Sequence, residues 1–157
     1  MKKFYYPPSS PEKYWEYWEN SDGTYTVHWG ALGDEGEKEI VKRRIFKSAT
    51  SKIDALEKYI ISEGYSEIDF DDHKLLLIEY LVEGFGDGDD LDKRHSLENL
   101  MNETLGWTGL GHCDGGSVGS GTMEVCCLVV DYKLAERIVA NSLKNTEFSD
   151  YNRIYEE

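Results

Sequence analysis

The sequence predicts an α+β protein built from two modules. Three observations carry this expectation. Residues 13–46 break into short alternating segments separated by Gly/Asp turns, and an amphipathic stretch follows them. Residues 75–85 and 122–130 are near-continuous apolar runs, each followed by a segment of helical period. Between the halves lies a short acidic joint, "SEIDFDDHK" (66–74), too short and too apolar for a flexible linker. The expected modules are residues 1–70 and 71–157.

In the first module Asp22-Gly23 marks a hairpin turn, because that turn takes residues that tolerate positive φ. "TYTVHW" then alternates, with Tyr25, Val27 and Trp29 on one face and Thr24, Thr26 and His28 on the other. "GDEGE" (33–37) supplies a second turn, and "KEIVKRRIF" (38–46) reads as a third strand carrying the basic cluster Lys42, Arg43 and Arg44. A helix follows. Ser51 and Asp54 have capping-box spacing, Ala49, Ile53, Leu56 and Ile60 share a face, and Gly64 is a stop. The reading of this half is strand, turn, strand, turn, strand, helix.

In the second module "LLLIEYLVEGF" (75–85) suits a central strand, and "GDGDDLD" (86–92) breaks it. "KRHSLENLMNETLGW" (93–107) places Leu97, Leu100, Met101 and Leu105 at helical spacing. A glycine-rich stretch leads into the buried strand "TMEVCCLVV" (122–130). The helix "DYKLAERIVANSL" (131–143) then opens on Asp131 as N-cap and turns Leu134, Ala135, Ile138 and Val139 inward. "YNRIYEE" (151–157) reads as an edge strand. With one strand in the glycine stretch, the order is β-α-β-β-α-β, the split βαβ pattern of ferredoxin-like folds.

Composition narrows the function classes. The 157 residues include 31% charged and 13% aromatic side chains, which is not a disordered composition. No apolar run approaches the roughly 20 residues of a membrane span, and "MKKFYYPPSSPEKYW" lacks the apolar core of a signal peptide. Three cysteines without framework spacing argue against a disulfide scaffold and for a reducing, cytoplasmic setting. The net charge is −14, and it is uneven. Residues 1–70 carry 10 Lys/Arg against 13 Asp/Glu, whereas residues 71–157 carry 7 against 18. Such a body repels polyphosphate at long range and attracts a basic partner.

The run Trp29-Gly30-Ala31-Leu32-Gly33, then Gly36, a strand, and a helix ending in "EGYSEI" resembles the WGR domain over residues 12–68. The resemblance implies a small sheet with one helix. It also implies the role that WGR domains play in poly(ADP-ribose) polymerases, gripping DNA ends and relaying activation. Ala31 stands where the family has its name-giving arginine, so a cation is missing at the position most associated with nucleic acid. Apart from the resemblance, Trp29 on the apolar strand face reads as core, and Gly30 as an allowance for close packing.

The second candidate region is "GHCDGGSVGSGTMEVCC" (111–127). Adjacent pairs His112-Cys113 and Cys126-Cys127 lack the two-to-four-residue spacing of zinc ligands, and neighbouring strand residues point to opposite faces. His112-Cys113-Asp114 has the residue types of a thiol nucleophile with its base, but adjacency does not create that geometry. "GGSVGSG" leads into a strand rather than a helix and lacks the lysine of a phosphate loop. "GDGDDLD" lacks the spacing of a calcium loop and reads as a solvated turn. The stretch therefore reads as a tight, bulged hairpin whose exposed His112, Cys113, Asp114 and Ser117 form a recognition surface.

The expectation is a non-enzymatic, bacterial-type binding protein with no cofactor or metal, acting on a basic protein partner as an immunity or antitoxin protein does. Its binding residues would be Trp29, Gly30, His112, Cys113, Asp114 and Ser117. Two alternatives stand beside it: a nucleic-acid-associated regulator using Lys42–Arg44, and an enzyme using His112 and Cys113.

Overall fold

A computed structural model describes residues 1–42 and 48–157. The chain divides into two compact units, Met1–Asp69 and Phe70–Glu157. Among the described residues, three α-helices and two four-stranded antiparallel sheets make it an α+β fold. Among the described residues no helix is long and apolar enough to cross a membrane.

The first unit is a meander of β1 (Lys2–Tyr6), β2 (Lys13–Glu19), β3 (Tyr25–Ala31) and β4 (Glu37–Val41), followed by α1 (Ala49–Ser62). Strand β1 was not expected. Its five residues lie before two prolines, yet its alternation pairs Phe4 with Trp15 across the sheet. Ser66 extends that edge by exchanging backbone hydrogen bonds with Tyr5. Phe4, Trp15, Val27 and Val41 form one sheet face and pack with Ile53 and Ile60 of α1. The expected third strand is present as Glu37–Val41, and the rest of its expected span beyond Lys42, with Arg43 and Arg44, lies outside the described residues.

Helix α1 begins one turn before the anticipated cap. Ser48, not Ser51, is the N-cap, and its hydroxyl accepts from the Ser51 amide. Ser48 leaves Ala49, Ile53 and Ile60 buried, whereas Leu56 falls on the rim of the stripe and is exposed. Gly64, at φ 96°, follows the last turn as expected.

The second unit follows a short 3-10 turn at Phe70–Asp72. Its elements are β5 (Lys74–Leu81), α2 (Gly88–Trp107), β6 (Gly111–Gly119), β7 (Thr122–Val129), α3 (Tyr132–Leu143) and β8 (Arg153–Glu156). The sheet order is β6-β7-β5-β8, with every neighbouring pair antiparallel. Leu76, Ile78 and Tyr80 of β5 and Met123, Val125, Cys127 and Val129 of β7 share one face. They are buried, as are Leu97, Met101 and Leu105 of α2 and Ala135, Val139 and Leu143 of α3. Glu79 and Glu124 lie opposite each other on the other face.

The acidic run "GDGDDLD" is not a turn between elements, because α2 starts inside it. Asp87 is the N-cap and accepts from the Asp89 and Asp90 amides, while Asp90 reaches back to the Asp87 amide. Carboxylates at this end satisfy orphan amides and offset the positive end of the helix dipole. Asp131 caps α3 as expected, accepting from the Leu134 amide at 2.9 Å.

Candidate functional site

Trp29 and Gly30 lie at the end of β3 in the first unit. Trp29 is partly buried and packs against the sheet–helix core. With Gly30, Lys13, Tyr59, Glu63 and Tyr65 it also lines a cavity of about 400 Å³. Gly30 permits a close approach, since a Cβ there would sit 2.8 Å from Gly36 Cα and 3.1 Å from the Tyr14 hydroxyl. The glycines of the motif thus fold the Gly33–Gly36 turn back over β3.

A buried polar network holds that turn, and the sequence did not reveal it. His28 and Tyr14 are each 1% exposed. Glu16 meets His28 Nδ1 at 2.7 Å through one oxygen and Lys3 Nζ at 2.9 Å through the other. The Tyr14 hydroxyl lies 3.0 Å from His28 Nε2 and donates to the Asp34 carbonyl, and His28 Nε2 also faces the Glu35 carbonyl. Burial raises the Tyr14 pKa, and the charge of Glu16 adds to that shift. Both faces of β3 are therefore buried at its centre, one apolar and one polar. The period-2 pattern showed two faces but could not show that the polar one is covered.

His112, Cys113, Asp114 and Ser117 all lie on β6 of the second unit. The glycine stretch is a hairpin in which β6 and β7 are joined by Ser120 and Gly121, both at positive φ. That suits a two-residue turn matched to strand twist. Its register shifts between Cys113 and Gly115, leaving Asp114 as an exposed extra residue. The shift decides where the side chains go. Ser117 faces Glu124 and its hydroxyl lies 3.4 Å from Oε2. His112 is opposite Leu128 on the same outer side, but Cys113 is opposite Cys127 on the helix-covered side.

The expected four-residue recognition surface is thus corrected at Cys113, which is half-buried rather than exposed. Strand pleating directs His112 and Cys113 to opposite faces. The same rule separates Cys126, partly exposed, from Cys127, fully buried. The Cys113 amide is held by Asn102 Oδ1 of α2 at 3.0 Å. A hydrogen bond from Cys127 lowers the Cys113 pKa, and the Gly115 backbone assists. Burial and the charges of Glu98 and Asp114 oppose the shift. The Cys127 thiol is pushed far up, first by its bond to Cys113 and then by burial. Among the described residues, no cluster of three or more His, Cys, Asp or Glu side chains is arranged to hold a metal ion.

Two further groups escaped the sequence reading. On the outer sheet face, Arg153 clamps Glu79 through Nε at 3.0 Å and Nη2 at 2.7 Å, and Asn152 donates to the same carboxylate. Beside them Tyr155 donates to Glu124 at 2.6 Å, a bond that raises the tyrosine pKa to about 12. The second group is the loop from β5 to α2. Phe85 is 84% exposed and Leu81 71% exposed. The loop is tied to the hairpin turn through Val82 N to Gly121 O at 3.0 Å and Gly121 N to Gly84 O at 2.6 Å. The apolar run predicts Phe85 at the end of a buried strand, and the structure exposes it instead. Gly84 and Gly86, both at positive φ, were the signal that the strand had already ended.

No known protein family, curated protein or solved structure matches the chain.

Proposed function

We propose that this is a non-enzymatic binding protein that captures a basic protein partner, in the manner of an immunity or antitoxin protein working in the cytoplasm. One observation carries the reading: the segment from Leu81 to Asp92 exposes two large apolar side chains, Leu81 and Phe85, together with the carboxylates Glu83, Asp87, Asp89 and Asp92. An aromatic anchor with an acidic rim suits a partner that presents an apolar pocket ringed by Lys and Arg. The charge of Phe70–Glu157, with 7 basic and 18 acidic residues, would steer such a partner toward this surface.

The finer fold assignments belong to the same proposal. The β-α-β-β-α-β order, with β6 and β8 at the edges, supports a ferredoxin-like second unit. The Trp29–Gly36 turn followed by β4 and α1 supports a WGR-like first unit. In this reading Trp29 and Gly30 chiefly shape the first unit; on the second, Ser117 lies toward the hairpin turn that the Val82–Gly84 loop touches, whereas His112 and Asp114 lie toward the other end of β6.

The test is affinity capture from native bacterial lysate with the wild-type chain, Phe85→Ser, and Asp89→Asn/Asp92→Asn. Basic proteins captured by the wild type should be lost with Phe85→Ser and reduced with the double variant. Raising salt from 0.05 to about 0.3 M should weaken capture severalfold through screening. Equal capture by all three proteins, or retention of duplex DNA at low salt, would count against the reading.

A further inference from the structure

We infer that Cys113 and Cys127 form a redox-active dithiol that closes into a cross-strand disulfide by exchange with a low-molecular-weight disulfide. This goes beyond partner capture and does not depend on it.

An undisturbed hairpin through Ser120-Gly121, continuing the Gly119–Thr122 and Gly115–Cys126 pairs, would set Cys113 opposite Leu128 on the outer face. The extra residue Asp114 shifts the pairing by one, and Cys113 meets Cys127 on the inner face instead. Directly opposed antiparallel residues have Cα atoms about 4.5–5.5 Å apart, within the span of about 4.4–6.8 Å that a disulfide bridges. The two thiols are close enough for each to shift the other's pKa. Asn102 fixes the bulge by accepting from the Cys113 amide, and Cys113 Sγ lies 3.6 Å from the Gly115 carbonyl.

Access and reactivity divide the roles. Cys113 is half-buried and can meet a small oxidant, while Cys127 is sealed inside. The hydrogen bond from Cys127 favours the Cys113 thiolate, the form that attacks disulfides. That thiolate attacks one sulfur of the small disulfide. An Sγ–S bond forms, the small disulfide's own S–S bond breaks, and one small thiolate leaves and takes up a proton. Cys127 then gives up its proton toward the departing thiolate as its sulfur attacks Cys113 Sγ. The second small thiolate is displaced and is protonated in turn. The protein has lost two electrons and two protons, and the small disulfide has become two thiols. Cys126, on the opposite face of β7, takes no part.

The test treats the folded protein with oxidised glutathione, blocks remaining thiols by alkylation, and cleaves after glutamate. Cleavage at Glu124 separates Cys113 from Cys127 in the chain. The expected product is a reducible link between those two peptides, with Cys126 alkylated. Cys126→Ser should still close. Cys127→Ala should stop with glutathione attached to Cys113. Cys113→Ala should slow the oxidation of Cys127 by at least about tenfold, because its more accessible partner is gone. Circular dichroism checks that the variants fold, and the wild-type peptide map stands whether or not they do. Closure through Cys126, loss of closure in Cys126→Ser, glutathione left on wild-type Cys113 without an internal bond, or no reaction at any cysteine would each overturn the inference.

Discussion

Each unit buries one glutamate, and the two are held in different ways. Glu16 sits inside the first unit between Lys3 and His28, both mostly or wholly buried themselves. Its network runs on through Tyr14 to backbone carbonyls of the Gly33–Gly36 turn. Glu79 lies near an edge of the second sheet, and its partner Arg153 leaves 57% of its side chain in solvent. The first arrangement couples sheet and turn into one polar core. The second fastens a four-residue edge strand to the strand beside it. A buried carboxylate surrounded by buried partners cannot lose one of them without stranding the others. A carboxylate whose partner is wet can exchange it for water.

Removing Glu16 should show the largest effect. In Glu16→Ala, Lys3 and His28 lose their shared carboxylate, and urea unfolding should show a loss of about 3–5 kcal/mol. The matching substitution Arg153→Met in the second unit should cost far less. Similar losses from both would erase the distinction.

Gly36→Ala approaches the same network from the turn. The new Cβ would run into the Trp29 carbonyl and the Tyr14 hydroxyl, at a φ of 67°. Strain and crowding together should cost about 2–4 kcal/mol. Gly23→Ala is the control, because its φ of 76° is similar but nothing lies within 4 Å of its Cβ. Only the backbone penalty of about 1 kcal/mol should remain there. Thermal melts of the two variants side by side would separate packing from conformation.

The smallest effect concerns pH. Hydrogen bonds from Arg153, and then from Asn152, hold the Glu79 pKa below its ordinary value. A depressed folded value means the contribution is present above the unfolded pKa of about 4.3 and disappears as pH falls through the folded value. Arg153→Met should bring the two values together and flatten the acid limb of stability against pH. An unchanged acid limb in Arg153→Met would mean that the clamp does not govern this titration.

Much of the architecture was legible because it rests on local rules. Asp131 caps its helix, Leu97, Met101 and Leu105 form one buried stripe, and the period-2 pattern of β3 places Val27 in the core. The errors were local too, and each has a physical cause. Strand β1 is short and followed by prolines, so its signal was weak against the long β2. The acids of "GDGDDLD" look like a solvated turn in the sequence because their service to the amides of α2 is a property of the helix, not of the residues alone. The Glu79 clamp joins residues 74 positions apart, and no local pattern announces such a pair.

The sequence by itself determined the α+β class, the acidic second half and the presence of a glycine-rich hairpin, because period, charge and glycine conformation are properties of neighbouring residues. Only the tertiary structure decided that Asp114 bulges out and turns Cys113 toward Cys127, and that a polar network lies sealed beneath the Trp29 turn. The reason is register: a one-residue shift exchanges the faces of a strand. In this hairpin the shift is anchored from another element, by Asn102 on α2.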